Sequence, residues 1–272
     1  MSSRVKSVAA IQKIVTLQQR PFQFSGKGIR ARTEKIEVNM RVLAIGAHPD
    51  DIEMQCAGTL ALCTKRGDQV FIAIVTDGGC GSPTLSRQAI AKMRFKEAKR
   101  SAKIISAKLI WMNFTDGYFF ENEEHRNRFV DLIREVKPDF MIIHSPNDYH
   151  SDHIYAGKMA SDVSLLVTAP SIKTNLPPTE KMPCVYYMDT TAGIEFIPEI
   201  YVDITETVQT KKKMLLCHRS QDLWMKDQYG MSITESMEVT ARYRGLQCGV
   251  KYAEGFRQLR TYPRANTKRL LP

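Results

Sequence analysis

The stretch RVLAIGAHPDDIEMQCAG, residues 41–58, decides the fold of this chain. It opens with an apolar run, VLAI at 42–45, that has the composition of a buried strand. The run stops at a turn that holds one imidazole and two carboxylates, from His48, Asp50 and Asp51. Carboxylates at the end of a buried strand need a cation, protons or hydrogen bonds to offset their desolvation. Ligands also bind at the carboxyl ends of strands in open α/β sheets, so we predict a metal and a catalytic base here.

Strand-like and helix-like segments alternate from this point to about residue 167. Strands are predicted at 41–46, 70–76, 108–113 and 139–144. Helices are predicted near 53–66, 86–106, 123–136 and 152–167. Alternation of this kind implies a mostly parallel sheet with helices on both faces. The predicted fold class is therefore α/β, with a single Rossmann-like domain.

The remainder of the chain reads as smaller elements added to this domain. A Pro-rich loop over 170–183 is followed by predicted strands at 184–188 and 200–204. Thr205 is placed to cap a helix that runs to about Arg219, and a further helix is predicted over 234–246. A short apolar stretch lies near 252–259. No linker separates these segments from the rest, so we predict one domain over 41–260.

The net charge of +10 is concentrated at the two ends of the chain. Residues 1–40 hold eight Lys or Arg and two Glu, giving +6, and residues 257–272 hold five Lys or Arg and no acid, giving +5. The remainder is close to −1 (10 − 6 − 5). We therefore predict a basic N-terminal extension or arm at 1–40, a basic C-terminal tail at 261–272, and no nucleic-acid partner.

Composition predicts a cytoplasmic protein. Hydrophobic residues make up 43% of the chain and charged residues 25%, as in soluble globular proteins. No apolar run approaches the ~20 residues that span a bilayer. Lys6 and Lys13 interrupt any signal-peptide core. The six cysteines are scattered, without a C-x-x-C pair, which favours reduced thiols.

A second cluster of polar side chains, DYHSDH at 148–153, follows the fourth predicted strand. If the strands follow the doubly wound order, strands one and four are neighbours across the point where the order reverses. The loops after them then face each other over one crevice. We therefore expect 46–51 and 148–153 to form one site.

These two loops supply the residue types that a zinc hydrolase needs, which are three ligands and a base near the position of a water. The predicted ligands are His48, Asp51 and His153, and Asp50 is placed to take a proton from the water. His150 is expected to stabilise the oxyanion and later to protonate the leaving amine. Asp152 is expected to hold the His150 ring and keep it protonated.

Several motifs resemble the LmbE-like (PIG-L) zinc-dependent N-acetylglucosaminyl deacetylase family. They lie in order over 41–260: AHPDD at 47–51, GTL at 58–60, VTDG at 75–78, Arg94-x-x-Glu97, D-x-H-x-D-H at 148–153, VDIT at 202–205, H-x-S-Q at 218–221 and YAEGF at 252–256. The resemblance implies the same ligands, base and oxyanion partner, and adds Arg94 and Asp116 as substrate-contacting residues. Two departures are Ser151, where proline is common, and the loop GCG at 79–81, which replaces an acidic residue.

The expected function is removal of an N-acetyl group from an N-acetylglucosamine-type sugar conjugate, a small soluble glycoconjugate of thiol-cofactor or antibiotic biosynthesis. The resemblance implies one Zn²⁺ per subunit, or another divalent metal, and a homo-oligomer such as a trimer or hexamer. One alternative is an amidase that acts on another glycoconjugate. The other is a non-catalytic nucleotide-binding or metal-binding Rossmann-like protein. The first loop lacks the G-x-G-x-x-G glycines of a nucleotide site, and a scaffold needs neither Asp50 nor His150.

Other side chains near these motifs are expected to be structural. His144 ends the fourth predicted strand and is interpreted as a buried histidine rather than a ligand. His218 and its motif are expected to orient a core loop. Four aromatic residues are candidates for a sugar-stacking wall, although their spacing favours core and rim positions: Trp111, Tyr118, Phe119 and Phe120.

Overall fold

The computed structural model describes residues 39–262 and 269–272. Seven strands in this part of the chain form one sheet in the order β3-β2-β1-β4-β5-β7-β6. The strands are β1 Arg41–Gly46, β2 Gln69–Thr76, β3 Lys108–Phe114, β4 Phe140–Ile143, β5 Cys184–Met188, β6 Ile200–Asp203 and β7 Ala253–Gln258. The first five strands are parallel, and β7 pairs antiparallel with both β5 and β6. The predicted α/β fold with a mostly parallel sheet is confirmed.

Helices cover both faces of this sheet. They are α1 Asp51–Gln55, α2 Ala57–Arg66, α3 Arg87–Ile104, α4 Glu123–Val136, α5 Ser151–Ser164, α6 Val208–Leu215, α7 Arg219–Tyr229 and α8 Ile233–Cys248. Side chains of α1, α2, α6 and α8 share one apolar cluster, and those of α4 and α5 share the other. The sheet therefore separates two cores.

The central strand β1 explains why residues 42–45 form a continuous apolar run. Val42 and Ala44 belong to one core, and Leu43 and Ile45 belong to the other. All four are buried, because neighbouring side chains of a strand point to opposite faces and both faces are covered. A strand of this kind cannot alternate apolar and polar residues.

The strand order reverses between β1 and β4, as predicted. β1 pairs with β2 on one side and with β4 on the other, and Ile45 lies opposite Ile143 at the carboxyl end. The chain moves outward from β1 to β3 and then returns to β4. The loops that follow β1 and β4 are thus adjacent, at the position where open α/β sheets bind ligands.

Some predicted boundaries differ from the structure. The helix predicted over 53–66 is two helices, because Cys56 has an extended φ of −140° between them. Thr205 does not cap a helix. Its N–H donates to Asp203 Oδ1 at 2.9 Å, residues 205–207 form a turn, and α6 begins at Val208. Helix α7 was not predicted as a separate element.

The described end of the chain is partly packed. Leu271 is buried in the core that holds α2, and the carbonyl of Leu270 accepts a hydrogen bond from Arg66. All six cysteines are free thiols, and Cys56 and Cys63 are buried. Among the described helices, none is long and apolar enough to cross a membrane. The predicted N-terminal arm, apart from its last two residues, lies outside the described residues.

Candidate active site

The turn after β1 places Asp50 in a strained backbone conformation. Its φ of 116° lies in a region that favours glycine, although the residue carries a side chain. Strain of this kind persists only where the surroundings impose it, and it concentrates at functional sites. Here Arg94 of α3 imposes it by donating to Asp50 Oδ1 at 3.1 Å and to the carbonyl of Pro49.

Three side chains from the two loops converge beside this turn. His48 Nδ1 lies 3.2 Å from His153 Nε2 and 3.6 Å from Asp51 Oδ2. His153 Nε2 lies 3.4 Å from Asp51 Oδ1. Ligands of a tetrahedral zinc ion, with bonds of about 2.0–2.1 Å, are separated by about 3.3 Å. The spacing of these donor atoms therefore fits a zinc ion and its usual protein ligands.

The remaining ring nitrogens of both imidazoles face carboxylates. His48 Nε2 lies 3.2 Å from Asp116 Oδ1 and 3.3 Å from Asp152 Oδ2. His153 Nδ1 lies 3.1 Å from Asp148 Oδ2. Histidine ligands of metals usually donate their second N–H to a carboxylate, which fixes the tautomer and the ring orientation. The contact between Asp148 and His153 was not predicted from the sequence.

Other combinations of donors also come within 4.8 Å of one another in the described residues. They are His48 with His150 and His153, Asp51 with His144 and His153, and His48 with Asp116 and Asp152. The set of His48, Asp51 and His153 combines a carboxylate donor with two imidazoles that each have their other nitrogen on a carboxylate, which none of these three combinations does.

The charges around the two imidazoles favour a cation. Burial opposes protonation of His48, but hydrogen bonds to its aspartate neighbours, Asp116 first, outweigh burial and raise its pKa well above the usual value. Burial also opposes protonation of His153, but Asp51 and a second carboxylate raise its pKa to about 9. Burial raises the pKa of Asp51, and imidazoles led by His153 more than reverse this and hold it well below its usual range. The carboxylates that favour protonated imidazoles would equally stabilise a divalent cation bound to the neutral rings. The donor set therefore fits a metal.

His144 lies behind this set of donors. It is buried, its ring stacks on that of His153 with centroids 4.1 Å apart, and its Nε2 lies 3.0 Å from Asp51 Oδ2. Burial lowers the pKa of His144 to about 4, so the ring is neutral at physiological pH. Its Nε2 accepts the backbone N–H of Ala47 at 3.0 Å, so the proton of the neutral ring lies on Nδ1 and His144 contacts Asp51 without donating a hydrogen bond to it.

The loop GCG at 79–81 makes room for the guanidinium that holds Asp50. A Cβ built on Gly81 would lie 2.5 Å from Arg94 Nη1, and one built on the preceding Gly78, which has a φ of +66°, would lie 2.9 Å from the Arg94 side chain. Arg94 is buried, and its Nε has no hydrogen-bond partner in the described residues. The departure from the family pattern in this loop is therefore compatible with a tightly packed arginine.

The structure corrects the expected contact between Asp152 and His150. The Asp152 carboxylate points to His48 and accepts the N–H of Gly117 at 2.9 Å, and only its backbone N–H reaches His150, donating to Nδ1 at 3.3 Å. His150 is the N-cap of α5, and this position directs its ring back onto the first turn. Burial, followed by repulsion from His48, lowers the pKa of His150. The neutral ring therefore carries its proton on Nε2.

Arg94 and Asp116, expected to contact substrate, both line the cavity beside this cluster but have protein partners. Arg94 holds Asp50, and Asp116 accepts the N–H of Cys80 at 2.8 Å as well as facing His48. Burial raises the pKa of Asp116, but the hydrogen bond to His48 outweighs it and brings the pKa to about 2. Both side chains are therefore charged groups that orient the cluster.

The cavity has a volume of about 520 Å³ and reaches well beyond the charged cluster. None of the four aromatic candidates from the sequence lines it, and Trp111 packs on Phe95 instead, at 5.1 Å between centroids. Its aromatic lining comes from Tyr149, Trp224 and Tyr229. The last two lie on α7, whose sequence is too polar to mark it as a wall.

Residues 43–164 match the family described as "PIG-L: GlcNAc-PI de-N-acetylase". This range contains both loops of the site. Over these residues the chain resembles the PIG-L family.

The proteins to which this chain is similar include deacetylases and a hydratase. The chain is 24% identical over 241 residues to a 4-oxalmesaconate hydratase of Pseudomonas putida, covering 82% of this chain and 89% of that protein. It is 26% identical to an uncharacterized deacetylase of Escherichia coli, covering 63% and 85%. The structure of the N,N'-diacetylchitobiose deacetylase from Pyrococcus horikoshii has a TM-score of 0.70 and 25% identity, covering 95% of this chain and 94% of that one.

Proposed function

We propose that this protein is a metal-dependent hydrolase that removes an N-acetyl group from an N-acetylglucosamine-type sugar conjugate. The observation that carries the proposal is a strained, half-buried carboxylate, Asp50, next to the donor triangle of His48, Asp51 and His153 in a cavity. A non-catalytic metal site does not require the carboxylate that Arg94 holds there. The deacetylases among the relatives support the same reaction class.

The donor triangle would hold the metal. A zinc ion there would polarise an acyl carbonyl and lower the pKa of a water. Asp51 is oriented for this position by the backbone N–H of His48, which donates to Oδ2 at 2.6 Å. Asp148 and Asp152 orient the two imidazoles from behind. Two imidazoles and one carboxylate are a usual ligand set for catalytic zinc, and the same set also accepts other divalent metals.

Asp50 is suited to take a proton from the attacking water. Burial raises the pKa of its carboxyl to about 6, with Arg94 opposing that rise, so the group is ionised at neutral pH yet basic enough to accept a proton. Arg94 fixes one carboxylate oxygen, Oδ1. The base therefore has a defined orientation before substrate binds.

His150 is suited to donate a hydrogen bond to the developing oxyanion. Its Nδ1 accepts the N–H of Asp152, so the proton of the neutral ring lies on Nε2. The ring is held between His48 and His153, with centroids 4.7 Å from each, and it lines the cavity. An N–H donor fixed in this way stabilises charge without reorganising during the reaction.

Hydration of an unsaturated carboxylate is the second candidate, because one relative bears the name of such a hydratase. The charges of the cavity disfavour it. Among the described residues that line the cavity, Arg94 is the only arginine or lysine, and Asp50 already pairs with it. Three aspartates line the same space, namely Asp50, Asp51 and Asp116. A neutral acetamido sugar fits these charges better than a carboxylate does.

Acetate release separates the two candidates. The purified protein, loaded with zinc, is incubated with N-acetylglucosamine, its glycosides and N,N'-diacetylchitobiose, and acetate is measured with and without a chelator. Loss of ultraviolet absorbance from an α,β-unsaturated dicarboxylate is followed in parallel. We expect chelator-sensitive acetate release and no hydration. Hydration without acetate release would overturn the proposal.

A further inference from the structure

The cavity has a second wall that the proposed chemistry does not use. We call it the apolar wall, and it consists of Met54, Tyr149, Trp224, Met225, Tyr229 and Ile233. Tyr229 is 66% exposed and Tyr149 is 65% exposed, so large rings face the solvent at the mouth. Exposed apolar surface next to an active site usually marks a place where a ligand is bound.

Helix α7 supplies half of this wall from a single face. Gln221, Trp224, Met225 and Tyr229 follow the three- and four-residue spacing that places side chains on one side of a helix. Trp224 and Tyr229 meet edge to face, with ring centroids 5.5 Å apart. The adjacent side of α7 is polar, with Asp222 and Lys226 paired at 2.7 Å.

The apolar wall is anchored to α3, the helix whose Arg94 donates a hydrogen bond to the proposed base, Asp50. The Ser220 hydroxyl donates to Glu97 Oε2 at 2.6 Å, and its backbone N–H donates to Glu97 Oε1 at 3.0 Å. Glu97 lies one turn after Arg94 on α3. Gln221 adds a hydrogen bond to the carbonyl of Gly81 at 3.1 Å. These contacts fix α7 relative to the reacting groups before any ligand arrives.

The composition of the wall indicates what it binds. Its members are two methionines, one isoleucine and three aromatic rings, with no arginine or lysine, so it offers dispersion and ring stacking but no partner for an anion. A sugar held only at its acetamido group would leave this surface in water. We propose that the apolar wall binds an aryl or alkyl group of the substrate, carried either as the aglycone of the amino sugar or as its N-acyl chain. This inference rests on the proposed function only in assuming that the substrate is a sugar amide.

Rates on matched substrates test the inference. The substrates are the methyl and phenyl glycosides of N-acetylglucosamine and the methyl glycoside of N-benzoylglucosamine. We expect kcat/KM for one of the phenyl-bearing substrates to exceed that for the methyl N-acetyl glycoside by about tenfold, which corresponds to ~1.4 kcal/mol. Trp224→Ala and Tyr229→Ala should abolish that preference, Trp224→Phe should keep most of it, and Tyr262→Ala, at a residue 98% exposed outside the cavity, should not change it. A higher rate on the phenyl glycoside would show that the wall binds the aglycone. A higher rate on the N-benzoyl substrate would show that it binds the N-acyl chain.

A binding measurement tests the wall without turnover. The chain has two tryptophans, so Trp111→Phe leaves Trp224 as the only one. The phenyl glycoside of glucosamine should change its fluorescence at about tenfold lower concentration than the methyl glycoside does. Equal titrations, or equal rates on all three substrates, would overturn the apolar wall as a subsite. Absence of acetate release from both N-acetyl substrates and of benzoate release from the N-benzoyl substrate would instead contradict the proposed function, and the titration would still decide the inference.

Discussion

The loops after β1 and β4 and the helix α7 line the same cavity, but they are held in place by different forces. The loops directly follow β1 and β4, which are buried and pair with each other. The sheet therefore fixes the distance between His48 and His153. Helix α7 has one fully buried side chain, Gln221, and is held by a few hydrogen bonds. The reacting groups and the apolar wall can therefore change independently of each other.

The largest effect is expected from His153→Ala. The substitution removes one donor of the triangle and leaves Asp148 without its imidazole partner. We expect loss of stoichiometric zinc and of acetate release, measured by elemental analysis and by a coupled acetate assay. The wild-type melting temperature should rise on zinc addition, because a ligand that binds only the folded state stabilises it. The variant should lack this rise yet bind the phenyl glycoside of glucosamine normally.

Asp148→Asn should weaken the metal site without destroying it. The amide can still accept from His153 Nδ1 but no longer carries the charge that supports the ring. Loss of such a partner typically costs about 10- to 100-fold in metal affinity. Competition with a chromophoric chelator gives the affinity. An unchanged zinc affinity would contradict the role of this carboxylate, and Asp162→Asn on the exposed side of α5 serves as the control.

Arg94→Lys should alter the pH dependence of the rate. The guanidinium lowers the pKa of Asp50, whose burial raises it, so a lysine that cannot make both contacts should let that pKa rise. The base is then protonated up to a higher pH. We expect the acidic limb of the kcat/KM profile to move to higher pH, with a rate at neutral pH about tenfold lower. A shift to lower pH would contradict the assignment.

The sequence predicts the loops after β1 and β4 better than it predicts the position of α7. His48, Asp51 and His153 could be placed together because an apolar run fixes each strand and the doubly wound order makes the strands neighbours. Asp152 was misassigned, because the direction of a side chain in the first turn of α5 depends on the cap, which the motif does not reveal.

The apolar wall could not be predicted from the sequence. The residues of α7 show no stripe facing a core, since the helix contacts the rest of the molecule through hydrogen bonds of Ser220, Gln221 and Asp222 and through the partly buried Met225. Trp111, a sequence candidate for such a wall, instead packs on α3 through Phe95. Its position on β3 follows from the sheet, whereas the position of Trp224 follows from contacts between distant residues.

The smallest effect is expected from Ser220→Ala. The change removes the hydroxyl contact with Glu97 and leaves the backbone contact in place. A hydrogen bond contributes ~0.5–1.5 kcal/mol, so KM for the preferred phenyl-bearing substrate should rise about two- to tenfold with kcat nearly unchanged. Ser171→Ala, on an exposed loop, is the control. A fall in kcat alone would show that α7 and the reacting groups are not separable.

The central claim is tested most directly by measuring zinc content and acetate release on the same preparation of Asp50→Asn. The amide preserves the size of the side chain but cannot accept the proton of the attacking water. The account predicts zinc bound as in the wild type and turnover lower by about 10²- to 10⁴-fold, the contribution of a general base. Wild-type turnover in the zinc-loaded variant would contradict it.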